Sequence, residues 1–154
     1  MSSLMYLEDG RALNRSNLGY CGMLVLIARE IPEQHKRLRT WLEDLSDRTA
    51  PFCEFDIRGL SDEHRQTFWT AAARAGVIIR AKYGGDAMPN NAWAAESLLH
   101  LLRMHSSIVA GEPPSALNDL DMTTPYSGMP EDLQLLWRDA VSYTHLRAHE
   151  TRGN

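Results

Sequence analysis

Few residues in this chain of 154 have the types and spacing that chemistry requires, and the clearest are two aspartates and one histidine. Asp119 and Asp121 stand two residues apart in the irregular stretch 112–129, which holds three of the seven prolines. Carboxylates at that spacing can hold Mg²⁺ or a sugar nucleotide, but a solvated loop with a local Asx turn is the favoured interpretation. His105 lies on the apolar face of a predicted helix, where a hydrogen-bonded core histidine is favoured over a catalytic base. These three residues are the binding candidates, and the sequence nominates no catalytic residue.

The motifs that usually hold metals or cofactors do not occur in the sequence pattern. The four histidines before residue 141 include no pair at the i, i+4 spacing that places two imidazoles on one helix face, and no CxxC motif accompanies them. The tripeptide 84–86 begins like the signature of diguanylate cyclases, but alanine and methionine follow, so it indicates a helix stop and a turn. Cys21 and Cys53 have apolar neighbours and indicate buried thiols, with a nucleophilic thiol as the alternative. We therefore expect neither a metal nor a cofactor.

The charge balance argues against several classes of partner. There are 16 basic and 20 acidic residues, which give a net charge of -4, and the four tryptophans are spread one per predicted helix without a basic face. Nucleic-acid interfaces need clustered cations, so we expect none here. The longest strongly apolar run, 23–28, is far shorter than the roughly 18 residues that span a membrane, and no secretory signal opens the chain. We expect a soluble, cytoplasmic, bacterial protein whose partner is another protein, with no membrane contact.

Helical periodicity predicts a mainly α fold of about five helices. The segment that follows Ser16 or Asn17 is apolar on most sides, which is typical of a central helix, although its glycines leave a strand over 23–27 as the alternative. The clearest amphipathic pattern places apolar residues at i, i+3, i+4 and i+7, namely Leu38, Trp41, Leu42 and Leu45. The predicted helices cover 17–31, 32–46, 61–83, 92–110 and the residues from 130 onward.

Two shorter signals predict strands. The dipeptide Asp9-Gly10 lies between apolar stretches and predicts a two-residue hairpin turn, because glycine accepts a positive φ without steric cost. Alternation over 52–58 predicts either a short strand or an extended linker that places three side chains in the core. The expected architecture is a single globular helical domain over 1–140, with an N-terminal hairpin or one small strand pair.

The last segment, 141–154, lacks the helical pattern, the cap and the apolar face that precede it. Its first eleven residues, Val141 to Thr151, resemble without interruption the translation of the transposase adapter used in short-read library preparation. This resemblance implies that 141–154 is a non-native tail to be left out of fold reasoning. It also implies that the chain is C-terminally truncated, with its native sequence missing after Ala140. A native polar tail is the alternative.

Two classes of function fit these observations. In size, acidity and helical make-up the chain loosely resembles the small immunity proteins that bacteria make against polymorphic toxins, although no motif carries the likeness. That resemblance implies a non-catalytic protein-binding domain, and an acidic surface suits a basic nuclease toxin through electrostatic steering. The alternative is a small enzyme or ligand-binding domain with a site built around the 112–129 loop. A concave pocket with convergent polar groups would favour this alternative.

Overall fold

The computed structural model describes residues 2–46, 54–83 and 92–113 and the backbone of 119–121. Within these ranges the chain forms four α-helices and a small sheet, so the mainly helical class is confirmed. The strands are β1 (Ser2–Tyr6), β2 (Arg11–Ser16), β3 (Glu54–Asp56) and β4 (Asp119–Asp121), and the helices are α1 (Asn17–Ala28), α2 (Lys36–Ser46), α3 (Asp62–Tyr83) and α4 (Trp93–Val109). No helix in these ranges is long and apolar enough to cross a membrane. The predicted fifth helix, from 130, and the segment 141–154 lie outside the described residues.

The hairpin β1–β2 forms the centre of the sheet, whose strand order is β3-β1-β2-β4. The predicted hairpin is confirmed, but its turn is longer than two residues. The Leu7 N–H donates to the Arg11 carbonyl at 2.8 Å, and the Gly10 N–H donates to the Leu7 carbonyl at 3.0 Å. Gly10 has a φ of 92°. Glu8, Asp9 and Gly10 therefore make a three-residue turn that ends in a left-handed glycine, a geometry that suits the twist of the two strands.

The two edges of the sheet are short strands from distant parts of the chain. β3 pairs in parallel with β1, so the strand interpretation of 52–58 is confirmed for Glu54–Asp56. β4 pairs antiparallel to β2, with Asp119 opposite Leu13 and Asp121 opposite Arg11. The expectation that 112–129 is irregular is therefore wrong for these three residues. This strand depends on backbone pairing with β2. A segment of three residues is also too short to show the alternation by which a strand is predicted.

α1 is the central helix, as its apolar sequence predicted, because it packs against α2, α3 and α4. The Ser16 hydroxyl caps it by accepting a hydrogen bond from the Gly19 N–H at 3.3 Å. A Cβ on Gly22 would stand 2.5 Å from the Cβ of Ala94, so the missing side chain lets α4 approach closely. The helix is not buried on all of its apolar sides, since Leu18 is 62% exposed.

A row of aromatic rings connects α2 to α3 through the sheet. Trp41 packs edge-on against Phe55 with the ring centroids 5.0 Å apart, and Phe55 packs against Phe68 at 5.5 Å. Phe68 in turn contacts Trp69 at 5.2 Å. α3 starts where the sequence predicted, because the Ser61 hydroxyl accepts a hydrogen bond from a backbone N–H of its first turn. The row runs from the core at Trp41 to the partly buried indole of Trp69.

Candidate functional site

α3 and α4 run antiparallel and leave a groove between them that is open to solvent. The direction follows from two contacts, because Trp69 meets His105 while Gly76, further along α3, faces Leu102, which comes earlier in α4. The groove has a volume of about 740 Å³, and a mostly apolar extension of about 590 Å³ shares part of its lining. The side chains that form its floor are Trp69, Ala73, Val77, Leu102 and His105. We call this feature the α3–α4 groove.

His105, one of the three candidates from the sequence, lies in the α3–α4 groove and is stacked on Trp69. The two ring centroids are 3.7 Å apart and the ring planes differ by 14°. Burial disfavours the charged imidazolium and lowers the pKa of His105, while the negative charge of Glu8 acts in the opposite direction. The neutral ring is therefore favoured and forms an aromatic part of the floor of the groove.

Glu8, from the hairpin turn, joins the same end of the groove, and sequence reasoning missed it. The Trp69 indole N–H donates to its Oε1 atom at 2.5 Å. Its Oε2 atom is buried and accepts no hydrogen bond from any residue in the described ranges. The contact spans 61 positions of sequence, so no local pattern could have indicated it. A carboxylate oxygen with spare acceptor capacity therefore lies beside an aromatic pair.

Arg11 fastens the hairpin to the end of α4. Its side chain is only 2% exposed, and its Nε donates to Asp9 Oδ2 at 2.8 Å. Its Nη1 donates to Ser107 Oγ at 3.3 Å, and its Nη2 donates to the Glu112 carbonyl at 2.8 Å. Burial raises the pKa of Asp9, but the hydrogen bonds from Arg11 outweigh this effect and hold the pKa below its usual value. We call these four residues the Arg11 network.

The other two candidates from the sequence, Asp119 and Asp121, belong to β4, whose backbone pairs with the strand that holds Arg11. Asp121 pairs with Arg11, and Asp119 pairs with Leu13, on the edge of the sheet. Their side chains lie outside the described part of the structure, so their role in binding stays a prediction from the sequence. Among the residues that the structure describes, no group of three or more histidines, cysteines or carboxylates could hold a metal ion.

Three exposed arginines lie along the α3–α4 groove. Arg74 and Arg80 belong to α3, and Arg103 belongs to α4. None of them forms an ion pair with another residue in the described ranges. No local pattern could indicate this arrangement, because the three residues come from two helices and do not form a charge run. The rim of the groove is therefore basic in a chain whose net charge is negative.

The fold and the groove define a mainly helical domain with a small sheet and an open interhelical surface. Comparisons with protein-family models, with curated proteins and with solved structures each found no match. Function must therefore be inferred from the geometry of the α3–α4 groove and from the chemistry of its residues.

Proposed function

We propose that this chain is a non-catalytic protein-binding domain of the toxin-immunity type, which binds its partner through the α3–α4 groove. The observation that carries the proposal is the exposure of apolar side chains in that groove, above all Val77, which is 66% exposed. Apolar surface gains about 25 cal/mol per Å² when a partner removes it from water. A groove with such a floor is typical of sites that bind a partner helix.

The polar groups at the groove support binding more than catalysis. The Trp69 N–H is held by Glu8, and the Ser107 hydroxyl and the Glu112 carbonyl are held in the Arg11 network. His105 is stacked on an indole, without a nucleophile hydrogen-bonded to it in the described ranges. What remains available to a partner is the aromatic and aliphatic floor of the groove, the kind of surface that dominates binding energy in protein interfaces.

The experiment is a binding measurement with a matched pair of variants on α3. Val77→Asp and Ile78→Asp each place one carboxylate on an exposed side chain, since Ile78 is 51% exposed, but only Val77 lines the groove. Sequencing the locus past the codon of Ala140 identifies the neighbouring gene, whose purified product serves as the partner in calorimetry. We expect Val77→Asp to weaken binding at least about tenfold and Ile78→Asp to leave it within about twofold.

Two results would contradict the proposal. Equal affinity of the two variants for the neighbouring product would remove the α3–α4 groove as the binding surface. A neighbouring operon of metabolic enzymes whose products do not bind the chain would remove the toxin-immunity class. A toxin gene whose product is neutralised by the wild-type chain, but not by Val77→Asp, is the supporting result.

A ligand-binding role is the second candidate, and the buried Oε2 atom of Glu8 is the observation that favours it. A carboxylate oxygen with no protein donor suits a small cationic or hydrogen-bond-donating ligand. The test is an NMR titration with methylammonium, followed at the indole N–H of Trp69. A saturable shift that Glu8→Gln abolishes would support this function, and an unchanged spectrum would remove it.

A further inference from the structure

We infer that the partner segment taken up by the α3–α4 groove is an acidic amphipathic helix. This inference rests on the proposed function, but it replaces the basic partner surface expected from the net charge with an acidic segment, because the rim of the groove itself is basic. The floor residues on α3, Trp69, Ala73 and Val77, are four positions apart and form one stripe. The stripe is about 12 Å long at 1.5 Å per residue, which matches roughly two turns of a partner helix.

The charged residues at the rim of the groove determine which sign of charge the polar face of the partner helix must have. Arg74 and Arg80 are exposed on one wall and Arg103 is exposed on the other. All three lack an ion-pair partner among the described residues, so their guanidinium groups are available to carboxylates. Arginine is the side chain that binds carboxylates through two parallel hydrogen bonds, which gives this rim a preference for aspartate and glutamate.

The acidic groups near the groove do not cancel this preference. Glu112 lines one end, where its Oε2 atom accepts a hydrogen bond from Ser107 Oγ at 3.1 Å. Glu8 lies by His105 and is engaged by the Trp69 indole. Both acids are therefore at the end of the groove that holds the Trp69–His105 stack. Arg80 lies about three helical turns further along α3 than Trp69, so the basic part of the rim extends beyond the acids.

The experiment uses the full chain and two labelled peptides of about 15 residues, long enough for a helical segment. Both have a leucine and tryptophan face, and their polar faces carry glutamate in one and lysine in the other. Fluorescence anisotropy at low salt should show the glutamate peptide binding about tenfold more tightly, with the difference shrinking as salt is added. Val77→Asp should abolish binding and Ile78→Asp should preserve it.

Charge-reversal variants test the role of the rim directly. Arg80→Glu combined with Arg103→Glu places a reversed charge on each wall, and should weaken binding of the glutamate peptide at least about tenfold. Arg29→Glu is the control, because Arg29 is exposed at the end of α1 and does not line the groove. We expect the control to keep the affinity within about twofold, since distant surface charges are screened.

The remaining outcomes each overturn a defined part of the inference. If the lysine peptide binds as tightly, and Val77→Asp abolishes its binding, the acidic chemistry is wrong while the proposed function stands. If neither peptide binds up to about 1 mM, or Val77→Asp has no effect on binding, the inference and the groove as a binding surface both fall. If the double variant Leu136→Glu and Trp137→Glu binds the peptides more tightly than the wild type does, the occupant of the groove is the chain's own segment 130–140. If the wild-type chain forms a dimer and Val77→Asp dissociates it, the occupant of the groove is a second copy of this chain.

Discussion

The imidazole of His105 lies flat on the indole of Trp69, although the two rings come from different helices. The same indole donates its N–H to Glu8 in the hairpin turn. One side chain thus holds together α3, α4 and the turn between β1 and β2. The stack lies at one end of the α3–α4 groove, so the shape of the groove depends on the packing of these three residues.

The stack predicts a pH dependence of stability. Burial lowers the pKa of His105 below its ordinary value of 6.5, so between the two values the unfolded chain binds more protons than the folded chain. The free energy of unfolding should therefore be highest above about pH 6.5 and fall as the pH decreases through that window. His105→Phe keeps an aromatic ring and should remove this dependence, measured by urea unfolding at about pH 8 and about pH 5. An NMR titration of His105 with a pKa at or above 6.5 would contradict the prediction.

Trp41 should be a core residue whose removal is costly. Its side chain is 5% exposed and packs edge-on against Phe55, so Trp41→Ala should lower the free energy of unfolding by about 3–5 kcal/mol. Trp93, which is 48% exposed at the start of α4, is the matched control and should cost less than about 1 kcal/mol. Urea unfolding followed by circular dichroism measures both. Similar losses of stability for the two variants would show that Trp41 is not a core residue.

The close approach of α1 and α4 should depend on Gly22. A methyl group there would stand 2.5 Å from the Cβ of Ala94, so Gly22→Ala should destabilise by about 1–3 kcal/mol even though alanine favours helices. Adding Ala94→Gly removes the opposing methyl group and should restore part of the loss. Thermal unfolding of the two variants checks this. If Gly22→Ala stabilises the chain, the helices are further apart than 2.5 Å implies.

The Arg11 network should stabilise the fold far more than an exposed ion pair on the surface of α3. Arg11→Met leaves Asp9, Ser107 and the Glu112 carbonyl without their donor, and we expect a loss of about 2–4 kcal/mol. Arg65, whose only side-chain polar contact in the described ranges is the ion pair with the largely exposed Asp62 in the first turn of α3, is the control, and Arg65→Met should cost about 1 kcal/mol or less. Urea unfolding measures both variants. Equal losses would mean that the network stabilises no more than a surface pair.

Tyr6 should have a raised pKa, and its ionisation should lower the stability of the fold at high pH. Burial first, and then the charge of Glu54 and the hydrogen bond to it, raise the pKa of Tyr6 from 10.0 to about 12. Its contribution to the free energy of unfolding is full below pH 10.0 and is lost as the pH rises through about 12. Subtracting the phenolate absorbance of Tyr6→Phe from that of the wild type isolates this group. A midpoint near 10.0 would contradict the prediction.

The local elements of this protein could be predicted from the sequence because their causes are local. Ser16 and Ser61 cap their helices through backbone groups within three residues. Gly111, with a φ of 75°, ends α4 where the pattern indicated. The spacing of Leu38 and Trp41 was enough to predict the buried face of α2. Each of these signals depends on a few neighbouring residues, whatever the rest of the fold does.

The candidate site was only partly accessible to such reasoning. His105 was selected as a candidate, but its position in an open groove depends on Trp69 from another helix. The contacts that complete the site join residues far apart in the chain, as when Arg11 reaches Ser107 and Glu8 reaches Trp69. The strand formed by Asp119–Asp121 exists only because β2 offers it an edge. Periodicity and capping fix which residues form helices and which faces are apolar, whereas only packing decides which faces meet and which surface stays open, because those contacts are set by non-local distances.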